Sequence, residues 1–168
     1  MRKAYREYGF SLLAGAVYLL LHEGTHVLQA LAHGIFQGFH FNALGVEVLI
    51  TEPLTIGGWQ LACFSGLSSV VTVGVGYLLT ALMPSIFTLN SRFAKSCLYY
   101  ITVVFLLLDP LYISLFSFFV GGDINGIAVG LNLPYMPIRI FFALPLALNL
   151  LLVIKKIYPQ YTQNYIKA

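Results

Sequence analysis

Charged residues are scarce in this chain, and that scarcity excludes the ordinary soluble classes. Of its 168 residues, 9% are charged and 59% are hydrophobic, and the mean hydropathy is +0.85. A soluble domain carries about a quarter charged residues. No soluble segment combines a basic patch with interleaved aromatic residues, which argues against nucleic acid as a partner. The composition instead indicates a protein of the lipid bilayer.

Cysteine is nearly absent as well. Cys63 and Cys97 both fall in apolar segments, so neither a disulfide framework nor a zinc knuckle is indicated. The two side chains are expected to be small packing residues, and any metal site has to be built from histidine and carboxylate.

Four apolar stretches are long enough to cross about 30 Å of hydrocarbon. They cover approximately residues 9–33, 57–83, 94–119 and 138–154. Residues 35–56 alternate polar and apolar side chains around Leu44-Gly45, which predicts a short β-hairpin at the interface or folded against the helices. Residues 120–137, VGGDINGIAVGLNLPYMP, are dense in glycine and proline and predict a loop. The sequence therefore predicts an all-α polytopic membrane protein, with four transmembrane helices and one hairpin in a single domain, 1–168.

The second predicted helix is rich in small residues. Such residues allow a neighbouring membrane helix to approach closely, which is the ordinary packing role expected for them here. They are Gly66, Ser69, Thr72, Gly74 and Gly76.

The distribution of cations predicts the orientation in the membrane. The start MRKAYREYG resembles a signal peptide, but the apolar run that follows continues through polar residues without a small-residue cleavage site, so we expect a retained helix. Arg139 lies with Glu47, Glu52 and Asp123 on one side of the predicted spans. The other eight Lys and Arg residues lie on the opposite side: Arg2, Lys3, Arg6, Arg92, Lys95, Lys155, Lys156 and Lys167. The positive-inside rule then predicts a multi-pass protein of the cell membrane with both termini in the cytoplasm.

Residues 17–31, VYLLLHEGTHVLQAL, place three polar side chains inside an apolar helix. His22 and His26 are four residues apart and project from one helical face, while Glu23 can reach a water beside a metal that they bind. This is the His-Glu-x-x-His pattern of zinc hydrolases. A carboxylate at the bilayer centre costs about 3 kcal/mol, so it implies a partner or a function. We predict a zinc site here, in preference to hydrogen bonds that only join helices.

Zinc needs a third protein ligand, and only a few side chains qualify. His33 lies about 16 Å from His22 along a straight helix, which excludes it unless the helix breaks. His40, Glu47 and Glu52 fall in the hairpin, where a surface position is expected, although His40 could line the site entrance. Asp109 and Asp123 remain as candidates.

Depth in the membrane favours Asp109 over Asp123 as the third ligand. The first and third predicted helices reach His22 and Asp109 after about the same number of residues, and both are expected to run in the same direction. Asp123 lies about 20 Å further along if that helix is straight. Asp109 is the preferred ligand and Asp123 the alternate, provided that Pro110 does not unwind the helix.

The string HEGTHVLQALAHG resembles the signature helix of the site-2 protease family of intramembrane zinc metalloproteases, particularly of its small members. In that family a short β-region, a helix of small residues with a glycine, and a span with an aspartate ligand follow in order. Residues 35–56, Gly66 in FSGLSS and Asp109 in LLLDP are similar to that series. The family's Asn-Pro-x-Asp-Gly string does not occur. Asp109 precedes Pro110, whereas Asp123 lies in the glycine-rich GGDING, which keeps Asp123 as the alternate.

The resemblance implies an endopeptidase for transmembrane or membrane-anchored protein substrates, with zinc held by His22, His26 and Asp109. Glu23 is then the general base and later the proton donor to the leaving amine. Helical peptide bonds are shielded, so the substrate must unwind, and an edge of the hairpin 39–48 is expected to hold it as an added strand. The family's hairpin side is commonly cytosolic, whereas the cation distribution here places it outside.

The competing interpretation is a non-catalytic membrane protein that binds or transports a metal. The presence of Glu23 argues against it, because a metal carrier needs ligands but no general base.

Overall fold

The computed structural model describes residues 2–42, 45–51 and 55–166. The elements are, in chain order, α1 (Arg2–Ala32), β1 (Phe36–Asn42), β2 (Gly45–Ile50), α2 (Gly58–Ala81), α3 (Met83–Phe87), α4 (Arg92–Ser114), a 3-10 turn (Phe116–Phe118), α5 (Asp123–Leu131), α6 (Tyr135–Leu152), a π-helical segment (Val153–Ile157) and α7 (Tyr158–Ile166). The chain is mostly helical with one small sheet, as the sequence predicts.

Three helical stretches among the described residues are long and apolar enough to cross a membrane: Gly58–Ala81, Arg92–Phe118 and Tyr135–Asn164. They correspond to the second, third and fourth predicted spans and indicate a membrane protein. The first predicted span, 9–33, falls in α1, which is 31 residues long but carries His22, Glu23 and His26 in its apolar run. A fourth span therefore stays a prediction.

The predicted hairpin is confirmed. Strands β1 and β2 pair antiparallel, with His40 opposite Glu47 and Phe39 opposite Val48. The predicted turn at Leu44 lies outside the described residues. The strands pack against the helices at a cluster of buried apolar residues: Ala30, Ile35, Ile56, Leu61 and Phe64. Val48 of β2 packs against this cluster with a partly buried side chain. The hairpin thus folds back against α1 and α2.

Helix α4 continues through Pro110 to Ser114. Proline has no backbone N–H, so the carbonyl of Leu106, four residues earlier, loses its usual helical donor. The side chain of Asn149 in α6 replaces it, with Nδ2 donating to the Leu106 carbonyl at 2.6 Å. The Tyr77 hydroxyl of α2 donates to Asn149 Oδ1 at 2.5 Å. A hydrogen bond from another helix therefore offsets the bond that proline removes.

Helices α1 and α4 run in the same direction, as predicted. The ring of Phe10 lies 5.4 Å from that of Phe93. Further along both helices, the ring of Tyr18 lies 6.0 Å from that of Phe105. His22 and Asp109 therefore meet, as the residue counts in the two helices predicted, and their side chains are in contact.

The chain reverses after α4. The prediction of a loop over residues 120–137 is wrong in its middle, because residues 123–131 form a helix. We call residues 115–131 the return segment. It contains the 3-10 turn, then Gly121 and Gly122, and then α5, which begins at Asp123. Gly122 has φ +84°, a left-handed conformation that glycine adopts without a Cβ penalty. The Tyr112 hydroxyl donates to the Gly121 carbonyl at 2.6 Å and fixes the start of the turn.

Glycines bring α5 very close to α2. A Cβ at Gly130 would lie 2.5 Å from the Ala62 nitrogen and 2.6 Å from the Gly58 carbonyl oxygen. One turn earlier, a Cβ at Gly126 would overlap the Ser65 hydroxyl. This is the small-xxx-small packing of membrane helices. It seats α5 beside α2 and so fixes where Asp123 lies.

The small residues predicted in α2 have the packing role expected of them at two positions. A Cβ at Gly66 would contact Ile127 of α5 at 3.6 Å, and one at Gly76 would press on Leu106 of α4 at 3.0 Å. Gly74 differs, since nothing lies within 4 Å of its Cβ position. Helix α2 therefore packs between α4 and α5.

Candidate metal centre

The two histidines of the sequence motif converge on one aspartate. The Nε2 atom of His22 lies 3.1 Å from Oδ2 of Asp123, and that of His26 lies 3.3 Å from Oδ1 of the same carboxylate. Both imidazoles are buried, with 7% and 6% of their surface exposed. Among the described residues, His22, His26 and Asp123 form the one group with metal-ligand composition, and their ligand atoms all lie within 4.8 Å of one another.

These separations are short enough for the three side chains to share one metal ion. With metal–ligand bonds of about 2.0–2.1 Å, neighbouring ligand atoms of a tetrahedral site are about 3.3 Å apart. Each of the two nitrogen–oxygen contacts, 3.1 Å to Oδ2 and 3.3 Å to Oδ1 of Asp123, is near that length, and the three ligand atoms lie within 4.8 Å of one another. Two imidazole nitrogens and one carboxylate oxygen are also a ligand set of catalytic zinc sites, in which a fourth position stays open. The three residues could therefore hold a metal ion.

The expected position of Asp123 is wrong. A straight helix would have carried it about 20 Å beyond Asp109, but it lies at hydrogen-bond distance from both histidines. The reason is the return segment, which turns the chain back after Ser114 and brings the first residue of α5 to α1. Pro110 has no part in this, since α4 is not unwound there.

Asp109, the preferred ligand of the sequence prediction, reaches the other nitrogen of His22. Its Oδ1 atom lies 3.1 Å from His22 Nδ1 and accepts a hydrogen bond of 2.7 Å from the Tyr18 hydroxyl. Its Oδ2 atom accepts a short hydrogen bond from the Thr72 hydroxyl. The side chain is fully buried and stands outside the three-residue group. The geometry thus favours Asp123, the alternate, as the third ligand.

Glu23 lies beside the three-residue group without belonging to it. It is partly exposed and lines a cavity of about 620 Å³ together with His22, His26 and Asp123. The backbone of Val48 in β2 interacts with its carboxyl group. An acid in this position can exchange protons with a molecule in the cavity.

The cavity has acidic polar groups and apolar walls. Strand β2 contributes Val46, Glu47, Val48 and Ile50. The remaining apolar lining comes from the helices and the turn, and it includes Leu19, Phe64, Leu108, Phe116, Phe119 and Val120. No lysine or arginine is among the lining residues of the described chain. Such a cavity suits an apolar or neutral segment of chain.

The two histidines keep the Asp123 carboxyl group ionised. Burial raises the pKa of the Asp123 carboxyl, but hydrogen bonds and charge from His22 and His26 more than offset this, so its pKa falls from 3.8 to about 2. Asp123 is therefore a carboxylate at neutral pH and is ready to bind a cation.

The other candidates from the sequence do not join the three-residue group, although Glu47 lines the same cavity. His33 and His40 are exposed, and His40 faces Glu47 across the hairpin. Glu52 lies outside the described residues. None of the three described side chains belongs to the metal-ligand group.

The sequence prediction missed two hydroxyl side chains at the site, those of Tyr18 and Tyr112. Tyr18 stands one turn before His22, on the same face of α1, and that spacing was a signal for it. Tyr112 lines the cavity and donates to the Gly121 carbonyl, and neither contact follows from a local sequence pattern.

This chain matches no family model, no curated protein and no solved structure. The likeness to site-2 proteases therefore depends on the residues quoted above. Function has to be argued from the arrangement of His22, Glu23, His26 and Asp123.

Proposed function

We propose that this protein is an intramembrane zinc metalloprotease that hydrolyses peptide bonds of membrane-anchored protein substrates. The observation that carries the proposal is the convergence of His22, His26 and Asp123 on one point of a cavity that Glu23 also lines. These four polar residues lie in a mostly apolar helical protein, where each is costly unless it has a function.

The metal would be held by Nε2 of His22, Nε2 of His26 and the Asp123 carboxylate. When bound, zinc would supply Lewis acidity, which makes a water molecule nucleophilic near neutral pH and polarises a carbonyl group. The protein itself keeps two buried imidazoles and one partly buried carboxylate together.

Glu23 would move the proton. It neighbours His22 in sequence, lines the cavity and is not needed as a ligand. Its carboxylate would accept a proton from the attacking water and pass it to the nitrogen of the leaving amine. A protein that only carried a metal would have no use for this acid, which argues against the alternative of a non-catalytic metal-binding or transport protein.

Strand β2 would hold the substrate in an extended form. Among the described residues, β2 pairs with β1 alone. Val46, Glu47, Val48 and Ile50 of this strand line the cavity, and the Val48 backbone interacts with Glu23. An unwound substrate segment could add to the free edge by backbone hydrogen bonds. The apolar cavity walls would then receive apolar side chains of the substrate.

Replacement of Glu23 by glutamine is the first test. We expect Glu23→Gln to lower the cleavage rate of a model transmembrane substrate by about 10²- to 10⁴-fold, because general acid–base catalysis is lost. Zinc content, measured by elemental analysis of the purified protein, should stay at the wild-type level. Glu47→Gln is a matched control, since it neutralises another acid of the same cavity.

Two results would refute this proposal. Full cleavage by a folded, zinc-loaded Glu23→Gln protein would remove the proposed base. A wild-type protein that binds zinc and cleaves no substrate would favour the metal-binding alternative.

We also propose that α1 is a fourth membrane span and that both termini face the cytoplasm of the cell. Eight of the nine Lys and Arg residues support this orientation. Single cysteines at the exposed positions Gln37 and Gln163, in a protein without Cys63 and Cys97, should react with an impermeant reagent from opposite sides. If position 37 reacted from the cytoplasmic side, the orientation of the protein would be the opposite of the one proposed.

A further inference from the structure

Asp109 stands in a place where an acid is expensive. It is fully buried in the middle of α4. Its polar partners among the described residues are the Tyr18 hydroxyl, the Thr72 hydroxyl and His22 Nδ1, and none of them is a lysine or an arginine. A carboxylate at such a depth costs about 3 kcal/mol on the lenient insertion scale. A neutral amide could join the same helices at lower cost, so the acid calls for a further role.

The surroundings of His22 Nδ1 fix the tautomer of the ring. Tyr18 donates its one hydroxyl proton to Asp109 Oδ1 at 2.7 Å, so the Tyr18 oxygen, 3.2 Å from Nδ1, is left as an acceptor. Asp109 Oδ1, 3.1 Å from Nδ1, is an acceptor too. Both groups beside Nδ1 are thus acceptors. Asp123 Oδ2 faces Nε2 at 3.1 Å, but when Nε2 and Asp123 share a metal ion, the proton of the neutral imidazole belongs on Nδ1.

The same geometry separates Asp109 from the metal position. Nδ1 and Nε2 point to different sides of the imidazole ring, and Nε2 is the atom that faces Asp123. An ion at Nε2 therefore lies beyond the ring from Asp109. His26 has no equivalent support, since its Nδ1 atom has no hydrogen-bond partner among the described residues.

We propose that Asp109 is a positioning residue that, held by Tyr18 and Thr72, keeps His22 in the Nδ1–H tautomer with Nε2 directed at the metal. The inference rests on the metal site of the proposed function and adds to it a buried carboxylate that acts through His22. Hydrogen-bonded carboxylates behind metal-binding histidines contribute about 10- to 100-fold to metal affinity.

The test measures metal binding by the purified full-length chain in detergent. Zinc affinity comes from chelator competition, and the ligand set from the visible spectrum of the Co²⁺ form. We expect Asp109→Leu to bind zinc about 10- to 100-fold more weakly with an unchanged cobalt spectrum. Asp109→Asn, which keeps an acceptor oxygen, should recover part of the affinity. Asp123→Asn should change the cobalt spectrum itself, because it alters a ligand.

A second readout needs no metal. In metal-free Asp123→Ala, which lacks the carboxylate that faces Nε2 in the wild type, ¹⁵N chemical shifts of His22 should report the Nδ1–H tautomer, and adding Asp109→Leu should shift the ring towards a mixture of tautomers. Tyr18→Phe, a smaller change, should weaken zinc binding several-fold and add little to Asp109→Leu in the double variant. If Asp109→Leu does not fold, Asp109→Asn and Tyr18→Phe decide the question.

The outcomes are separable. Wild-type zinc affinity in the folded Asp109 and Tyr18 variants would overturn the positioning role. A cobalt spectrum altered in Asp109→Asn as in Asp123→Asn would make Asp109 a ligand and overturn it as well. A wild type that binds cobalt and zinc but cleaves nothing would refute only the protease, while the binding and ¹⁵N data would still decide the role of Asp109.

Discussion

Two regions of the molecule each bring an aspartate to His22, and they do so by different means. The middle of α4, residues 105–114, carries Asp109 to Nδ1 along a continuous helix. The return segment, residues 115–131, carries Asp123 to Nε2 after a reversal of the chain. The first region needs only a helix of the right length, whereas the second needs a turn and a packed partner helix. An acid that is easily placed from the sequence is therefore not always the one that faces the cavity.

The two regions also differ in what stabilises them. The α4 middle depends on polar bonds between helices, above all the Asn149 side chain on the Leu106 carbonyl. The return segment depends on close backbone approach at Gly130 and on Arg139, which holds Ser117 in the turn. Substitutions in each region should therefore have separable effects on stability and on metal binding.

The largest effect is expected from Gly130→Ala in the return segment. The new Cβ would lie 2.5 Å from the Ala62 nitrogen and 2.6 Å from the Gly58 oxygen, and backbone atoms cannot rotate away. We expect the free energy of unfolding in mixed micelles to fall by about 1–3 kcal/mol. Zinc affinity should fall more than tenfold, because α5 moves and takes Asp123 with it.

Gly74→Ala is the matched control for this substitution. It places the same methyl group in the middle of α2, where nothing lies within 4 Å, so stability should stay the same or rise by about 0.5–1 kcal/mol. Equal losses in Gly74→Ala and Gly130→Ala would show that the α2–α5 contact does not position Asp123.

A smaller effect, mainly on stability, is expected from Asn149→Leu, which acts on the α4 middle. The Leu106 carbonyl would be left without a donor, which costs about 1–3 kcal/mol. In a Pro110→Ala background the helix supplies its own N–H to that carbonyl, so the same substitution should cost less. Unfolding of the four proteins of this double-mutant cycle measures the difference.

Tyr77→Phe separates the two bonds of Asn149, since it removes the bond to Tyr77 and keeps the bond to Leu106. It should destabilise the protein less than Asn149→Leu does. If Asn149→Leu lowered the free energy of unfolding by the same amount in the wild-type and Pro110→Ala backgrounds, the proposed role of the Asn149 amide would be contradicted.

The smallest effect is expected from Arg139→Lys in α6. The guanidinium donates to the Ser117 hydroxyl at 3.0 Å and to the Ser117 carbonyl at 2.8 Å, and it lies 3.8 Å from the centre of the Phe118 ring. Lysine cannot reproduce a planar group that makes both bonds and stacks. We expect a loss of about 1 kcal/mol in stability and a fall of a few-fold in zinc affinity.

Lys156→Arg is the reverse exchange at an exposed position. It should change neither the stability nor the zinc affinity. If Arg139→Lys left the zinc affinity at the wild-type value, the turn before α5 would be held without this arginine. The return segment would then depend on its glycine contacts alone.

The sequence predicted the helices and the hairpin well, because these follow from local periodicity. Alternation over residues 35–56 became a two-stranded sheet, and the apolar runs after it became three candidate spans. The match in depth between His22 and Asp109 was also predictable, since it depends on residue counts in two parallel helices. The loop prediction for residues 120–137 failed because α5 combines glycine-rich composition with helical packing.

The sequence by itself determined that His22 and His26 share a helical face with Glu23 beside them, because a spacing of four residues fixes that in any α-helix. Only the tertiary structure decided which aspartate meets which nitrogen of His22. That choice depends on the chain reversal at Gly121-Gly122 and on the fit of α5 against α2. Both are contacts between residues far apart in the chain, and local periodicity carries no information about them.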